Sequence, residues 1–465
     1  MTENRTGRRD KRRPDLDTVY TINADGSRNF LHPADVRGRW QVLKNLIFSI
    51  LILIYVALPL LRIGGRSVIH FDLPGRNAYL FGLTFTNQDF YLMFFVVTGI
   101  GFGLFVVTAL WGRIWCGFAC PQTVFLEWLF RKIERWLEGP RIARIRRNLG
   151  PNTADKIARK LFKHVLFLSG SYAIAHIFLA YFIPMDELLD VIRQSPKEHM
   201  SAFGWSMFWT AVLYFNFAWF REQTCIVICP YGRLQSSLID EDTIIIGYDE
   251  LRGEPRHKGV EEGGDCIDCY RCVEVCPTGI DIRAGLQLEC IGCSNCIDAC
   301  DEIMNRIGKP KGLVRYDSQR SFEGQPRQRL LRPRVFIYLF LGLVGLVVAL
   351  LAISSRESFH ANALRSRGMP YSLENGRVRN LYTIHVQNKS DRASTYMIDL
   401  DNAPEGLEMI MPQPSMNLES LGDGQSPVFL YLDRSSYVEP FPLYLSVTDS
   451  LTGRSKVLEI MFRGP

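Results

Sequence analysis

Cysteine is missing from the chain before Cys116 and after Cys300, and the twelve that exist fall in four short stretches between those points. The last third of the chain therefore has no disulfide and no thiol chemistry. Histidine is also scarce, at eight residues. His164 and His176 share one apolar stretch but lie about 18 Å apart along a helix axis, too far to ligate one iron, and no other apolar stretch offers a partner. That argues against a b-type haem. No cleavable leader is expected either: the N-terminus is polar and arginine-rich, and the first apolar run is long and lacks a cleavage site, so the chain is expected to stay anchored. The net charge is only +6. The basic group Arg8, Arg9, Lys11, Arg12 and Arg13 is explained by membrane topology, which leaves no case for nucleic-acid binding.

What the chain does have is long apolar runs. Those at 40–61, 90–110, 161–183, 203–220 and 335–353 approach or reach the length needed to cross about 30 Å of hydrocarbon; the fourth is short and carries Asn216. Five spans are expected. The basic stretches before the first span and at 131–160 belong on the cytoplasmic side, and the less basic loops 62–89 and 184–202 belong outside. That orientation puts residues 241–334 in the cytoplasm and the tail beyond 354 across the membrane.

Eight cysteines form two consecutive runs, Cys266-x2-Cys269-x2-Cys272-x3-Cys276-Pro277 and Cys290-x2-Cys293-x2-Cys296-x3-Cys300. Three closely spaced thiolates and one distant one form the ligand pattern of two iron–sulfur cubanes, in which the fourth cysteine of each run serves the other cluster. Cys266, Cys269, Cys272 and Cys300 are assigned to one [4Fe–4S] cluster, and Cys290, Cys293, Cys296 and Cys276 to its neighbour. Structural zinc would place its cysteine pairs further apart. Asp301 stands where a second proline often follows such a run.

The remaining four cysteines repeat a second pattern, Cys116-Gly-Phe-Ala-Cys120-Pro121 and Cys225-Ile-Val-Ile-Cys229-Pro230, each after a pair of spans. On a helix the i and i+4 thiols of each pair share a face, and the proline restarts the helix beyond. A pseudo-twofold duplication would gather all four into a soft-metal site suited to Cu(I), although small apolar cysteines also simply pack in spans. The stretch 122–137 reads as an interfacial helix with Phe125, Trp128, Leu129, Ile133 and Trp136 opposite Arg131, Lys132 and Arg135. Gly99-xxx-Gly103 suggests close helix packing. His70 with Asp72, and His199 with Glu198, are outer-loop polar pairs that ordinary solvation explains.

Beyond residue 354 the pattern changes to alternating runs, such as Val378, Tyr382, Ile384 and Val386, then Tyr396, Ile398 and Leu400, then Leu443, Leu445 and Val447. Turn residues separate them, which predicts an all-β immunoglobulin-like sandwich. Met397, Met409, Met411 and Met416 offer thioether sulfur, but methionine is more often a core filler.

The expected whole is a multi-domain membrane protein. A basic tail (1–39) leads into a four-span domain (40–240), an inserted two-cluster ferredoxin-like α+β domain (241–310) and a basic linker (311–334). A fifth helix (335–353) and the sandwich (354–465) complete it.

This order of spans, paired Cys-x3-Cys-Pro motifs, cluster insert and sandwich, with Phe71-Asp-Leu-Pro74, Phe81-Gly-Leu83 and Gln88-Asp-Phe90 in the first outer loop, resembles the FixG/CcoG (RdxA-type) accessory proteins of cbb3-type cytochrome oxidase assembly. The resemblance implies a multi-pass bacterial inner-membrane cupric reductase with a cytoplasmic cluster domain and a periplasmic sandwich. It further implies Cys116, Cys120, Cys225 and Cys229 as the copper site, copper as substrate or bound ion, and an undefined cytoplasmic electron donor. Oxidase-assembly factors or a copper chaperone or transporter would be partners; dimerisation is left open. Two other readings remain: a quinol dehydrogenase feeding a periplasmic acceptor, and a non-catalytic assembly scaffold.

Overall fold

The computed structural model describes residues 30–63, 66–86, 89–257, 263–326, 332–354, 357–366, 368–390 and 392–465. Arg8, Arg9, Lys11, Arg12, Arg13 and Gln88 lie outside them. The chain divides into two compact units, one of residues 1–75 with 93–348, the other of 76–92 with 349–465.

Among the described residues four helices are long and apolar enough to cross a membrane: α1 (Arg39–Leu60), α2 (Phe90–Trp111), α3 (Ala154–Leu179) and, near the end of the unit, α5 (Pro333–Ser354). A helix of 22 residues rises about 33 Å, which matches the hydrocarbon thickness. Their apolar side chains are largely uncovered by protein, and in α5 only Val335 is buried. Such all-round apolarity suits lipid. The expected span at 203–220 is built differently. It is an α-helix, α4 (Met200–Phe215), that widens into a π-helical turn Asn216–Phe220 and stops at Arg221, whose φ is 53°.

Local chemistry sets the helix ends. Thr153 caps α3 by accepting from the Lys156 amide at 3.3 Å, as an N-cap hydroxyl should. α1 has no cap of its own, because Gly38 precedes it. Its first amides instead donate to Asp298: Trp40 N at 3.3 Å and Gln41 N at 2.8 Å. A carboxylate from far along the chain thus answers the positive end of the helix. α3 and α4 are joined by Ser206 to His176 at 3.0 Å and Tyr214 to His164 at 3.0 Å, so both histidines are occupied with the neighbouring helix. His199 contacts Gln194 rather than Glu198. A methyl placed on Gly99 or Gly103 would meet nothing within 4 Å, which corrects the close-packing expectation for that motif.

The iron–sulfur region is bracketed by an antiparallel ribbon, Ile245–Tyr248 with Val314–Asp317. Its second strand, and the short helix Gln319–Phe322, lie in the stretch expected to be linker. The ribbon closes only when residues beyond 310 return, because an unpaired strand would expose its amides. Residues 31–41 are not a free tail either. Ala34 N donates to Glu274 O at 2.8 Å, and Arg271 donates to Asp35 O at 2.6 Å.

From residue 357 onward the second unit forms two antiparallel sheets. The strands there are β1 (Phe359–Arg365), β2 (Ser372–Glu374), β3 (Arg377–Asn388), β4 (Ser394–Asp401), β5 (Glu408–Ile410), β6 (Ser415–Leu418), β7 (Asp423–Asp433), β8 (Phe441–Asp449) and β9 (Ser455–Phe462). One sheet runs β5-β7-β3-β1 with β2 beside β3; the other runs β6-β4-β8-β9. The period-two residues meet between them, with Val378, Ile384, Val386, Tyr396, Val428, Leu430, Leu445 and Val447 all fully buried. Tyr382 donates its hydroxyl across to Met461 O at 2.6 Å. Met416 is buried in this core and Met409 and Met411 pack on it, while Met397 is exposed; three of the four methionines are packing residues.

Candidate functional site

Each cysteine run folds around the same pair of left-handed residues. Asp268 and Tyr270 in the first run have φ of 49° and 57°, and Gly292 and Ser294 in the second have 66° and 63°. These residues occupy equivalent places between the thiols, so both loops curl in the same way. Holding non-glycine residues there costs on the order of 1–3 kcal/mol each, a strain the surrounding structure must outweigh.

The curled loops place the thiols around two cavities. Cys266, Cys269, Cys272 and Cys300 line one small cavity, with Tyr248, Met304 and Val314. Cys276, Cys290, Cys293 and Cys296 line the other, which Cys272 also borders. Cys300 thus sits with the thiols of the first run, and Cys276 with those of the second. Among the described residues no three His, Cys, Asp or Glu side chains converge on a point where one ion could sit. The thiols surround a volume, as a polynuclear iron–sulfur group requires and a single zinc does not.

Burial pushes the Cys290 thiol up to about 12, Cys293 to about 11 and Cys300 to about 12. As free thiols they stay protonated at neutral pH, and binding iron as thiolates would release those protons. The residues therefore fit the group, which supplies one-electron storage and transfer when bound. Asp301 leaves the ligand set intact: its carboxylate accepts from Gly312 N at 2.9 Å.

The other four cysteines sit beside this region. Cys116 lies in the short helix Ile114–Phe118, whereas Cys120 is in extended conformation before Pro121. Cys225 lies in a π-helical turn, Thr224–Ile228, and Cys229 is extended before Pro230. The expected shared α-helical face is therefore not formed. Proline at the first position of the following helix drives the preceding residue out of the helical region, so each pair straddles a break. The two motifs still lie side by side. Gln235, from the helix after the second motif, contacts the Cys116 sulfur at 3.4 Å.

Gly117 makes the junction with the iron–sulfur region. A methyl there would lie 2.5 Å from Gly292 O and 2.9 Å from Cys293 Cα. Backbone therefore meets backbone, with Cys116 and Cys293 each next to the contact. Arg113 adds a tie by donating to Leu288 O, and it joins the two motifs by donating to Gly232 O at 2.6 Å.

Behind the motifs is a buried ion network. Arg221 binds Glu134 at 2.9 Å, Arg144 reaches the same carboxylate at 3.4 Å, and Lys163 binds Glu138 at 2.9 Å. Arg131 pairs with Glu127 and, at 3.6 Å, with Glu222. This corrects the expected faces of the stretch 122–137: Arg131, Glu134 and Glu138 are buried and Trp136 is 72% exposed. Arg131 meets the carboxylates of Glu127 and Glu222 there, so the charged side turns inward. The stretch is also interrupted, by a π turn at Leu126–Phe130.

Three protein-family models match the chain: a 4Fe-4S dicluster domain at residues 220–319, a 4Fe-4S binding domain at 92–140, and the IG-like fold at the C-terminal of FixG at 349–465. The nitrogen fixation protein FixG of Rhizobium meliloti (strain 1021) is 31% identical over 92% of this chain and 92% of its own length. The chain belongs to the FixG/RdxA family. RdxB and RdxA of Cereibacter sphaeroides are 38% and 34% identical over 82% and 88% of this chain, and over 84% and 90% of their own lengths. As a FixG/RdxA-type protein it is an iron–sulfur membrane oxidoreductase of electron transport. The dicluster match contains all eight cysteines of the double run. The match at 92–140 contains only Cys116 and Cys120.

Several residues of this FixG/RdxA site escaped the sequence reading. Lys44 hides inside an apolar run, Gln235 carries no motif, and Glu134 with Arg221 reads as two unrelated surface charges. The one available signal was Lys44 itself, an unexpected cation within a span.

Proposed function

We propose that the chain is a cupric reductase of a bacterial inner membrane, taking electrons from a cytoplasmic donor and reducing Cu(II) to Cu(I) at Cys116, Cys120, Cys225 and Cys229. In this reading the N-terminus and the iron–sulfur region are cytoplasmic and the sandwich is periplasmic, because the basic segments flank the spans on the former side. The Cu(I) would serve oxidase assembly, through an assembly factor or a copper chaperone or transporter. The observation that carries the proposal is that the two Cys-x3-Cys-Pro motifs lie together, Gln235 of the second contacting the Cys116 sulfur, with Gly117 of the first set against the Gly292–Cys293 backbone. Thiolates favour Cu(I) over Cu(II), so a site built from them draws the reduction forward. Each copper takes one electron.

The test is anaerobic reduction of the protein, addition of Cu(II) and capture of Cu(I) by a chelator. Serine at Cys116 and Cys120 is expected to lower the yield and leave iron content unchanged; an undiminished yield rejects the copper site. Quinol-dependent reduction that is indifferent to copper would instead support a quinol dehydrogenase. The match of residues 92–140 to a 4Fe-4S binding domain supports a second reading, in which the four thiols themselves hold iron and sulfide. The same double variant would then lose iron.

A further inference from the structure

The geometry points to Lys44 as a fixed positive charge that holds the reduction potential of the iron–sulfur group at Cys276, Cys290, Cys293 and Cys296 above that of the group at Cys266, Cys269, Cys272 and Cys300. The inference rests on that division of the ligands.

Lys44 lies in the first turns of α1 and is 1% exposed. Its ammonium donates to the Asn295 side-chain oxygen and approaches Cys293 O at 3.5 Å. Both acceptors are neutral, and among the described residues no carboxylate forms an ion pair with it. A buried cation with only neutral partners is costly, and a negative group beside it offsets that cost. Four thiolates around iron and sulfide provide such a group at Cys293.

The other ligand set is surrounded differently. Both cations that line its cavity are answered by carboxylates, Arg283, 4% exposed, by Asp281 at 2.7 Å and Asp268 at 2.6 Å, and Arg271 by Glu274 at 3.5 Å. Neither is left as an uncompensated positive charge. Asp301 adds a further carboxylate next to Cys300. Reducing an iron–sulfur group adds one negative charge, so a nearby cation favours the reduced state and surplus carboxylates oppose it. The resulting gradient falls from the exposed Cys269 towards Gly117 and the four membrane thiols.

The test is a potentiometric titration of the full-length reconstituted protein followed by electron paramagnetic resonance. Cys293→Ser and Cys269→Ser assign the two signals. If Cys293→Ser removes both signals or neither, the ligand division fails, independently of Lys44. With the signals assigned, Lys44→Met is expected to lower the midpoint of the Cys293-dependent signal by tenfold or more in its one-electron equilibrium, about 59 mV per decade. The other midpoint should stay in place, and Lys44→Arg should keep both. Unmoved midpoints in Lys44→Met, equal shifts of both signals, or equal shifts in the Met and Arg variants would overturn the inference. If Lys44→Met sheds iron, loss confined to the Cys293-dependent signal and absent from Lys44→Arg supports the charge requirement; equal loss in both variants refutes it.

Discussion

The carboxylate of Glu134 receives the guanidinium of Arg221 at 2.9 Å, with both side chains at least 95% buried. Glu134 follows the first Cys-x3-Cys-Pro motif, and Arg221 precedes the second by a few residues. The pair locks the two motifs together.

Removing one partner from such a pair leaves an uncompensated buried charge, which costs about 3–5 kcal/mol. Glu134→Ala is expected to lose stability by that amount and to open Cys116 and Cys225 to alkylation, as read by thermal unfolding and mass spectrometry of labelled thiols. Burial alone would raise the Glu134 carboxyl, but Arg221 and then Lys163 outweigh it and hold the group down at about 2, from 4.5. Its contribution is therefore complete above about pH 4.5 and disappears as pH falls towards 2. Thiol exposure that is the same in the variant and the parent protein would contradict the locking role.

Gly117 permits backbone contact that no other residue allows. Gly117→Ala places a carbon 2.5 Å from Gly292 O, so the Cys290–Cys293 loop must retreat. Iron and acid-labile sulfide bound by that loop should fall in Gly117→Ala and fall further in Gly117→Val. Full iron retention in the valine variant would show that the contact has no role in holding the loop.

A pH response is expected at His32. Burial, with Arg144 adding to it, lowers the imidazole to about 4 from 6.5. The unfolded segment binds its proton near 6.5 and the docked one only near 4, so docking weakens as pH falls between those values and is unaffected by pH above them. The total loss is on the order of 3 kcal/mol. Hydrogen exchange of residues 31–36, corrected for intrinsic rates, should quicken at pH 5 relative to pH 7, and His32→Gln should abolish the difference. Equal protection at the two pH values would remove His32 from this role.

In the sandwich, Ile384→Ala opens a cavity among fully buried neighbours and should cost about 2–5 kcal/mol. Tyr382→Phe removes only the hydrogen bond to Met461 O and should cost about 0.5–1.5 kcal/mol. Calorimetry should rank the two in that order, with iron content unchanged. A reversed order would mean that the inter-sheet hydrogen bond outweighs core packing.

The sequence discloses interactions that are local and hides those that are distant. The Cys-x2-Cys spacings and the alternation through Val378, Tyr382, Ile384 and Val386 are read directly, because neighbours in the chain form the loop or the strand. Arg131 and Glu134 look like solvent-facing charges because the residue that buries Glu134, Arg221, lies 87 positions away. The π turn at Thr224–Ile228, which holds Cys225, has no periodic signature, so the expected α-helical face of that cysteine pair could not be distinguished from the broken one. Lys44 is the same case, since its partner Asn295 is 251 residues distant.

The docking of residues 33–44 has a consequence for synthesis. Asp298 and Asn295 are made more than 250 positions after Trp40, Gln41 and Lys44. Until then α1 has no acceptor at its leading end and the Lys44 ammonium has nothing to bind. Iron therefore meets a finished pocket only late in translation, and a chain stopped short of residue 295 should be a substrate for quality control rather than a partly loaded intermediate.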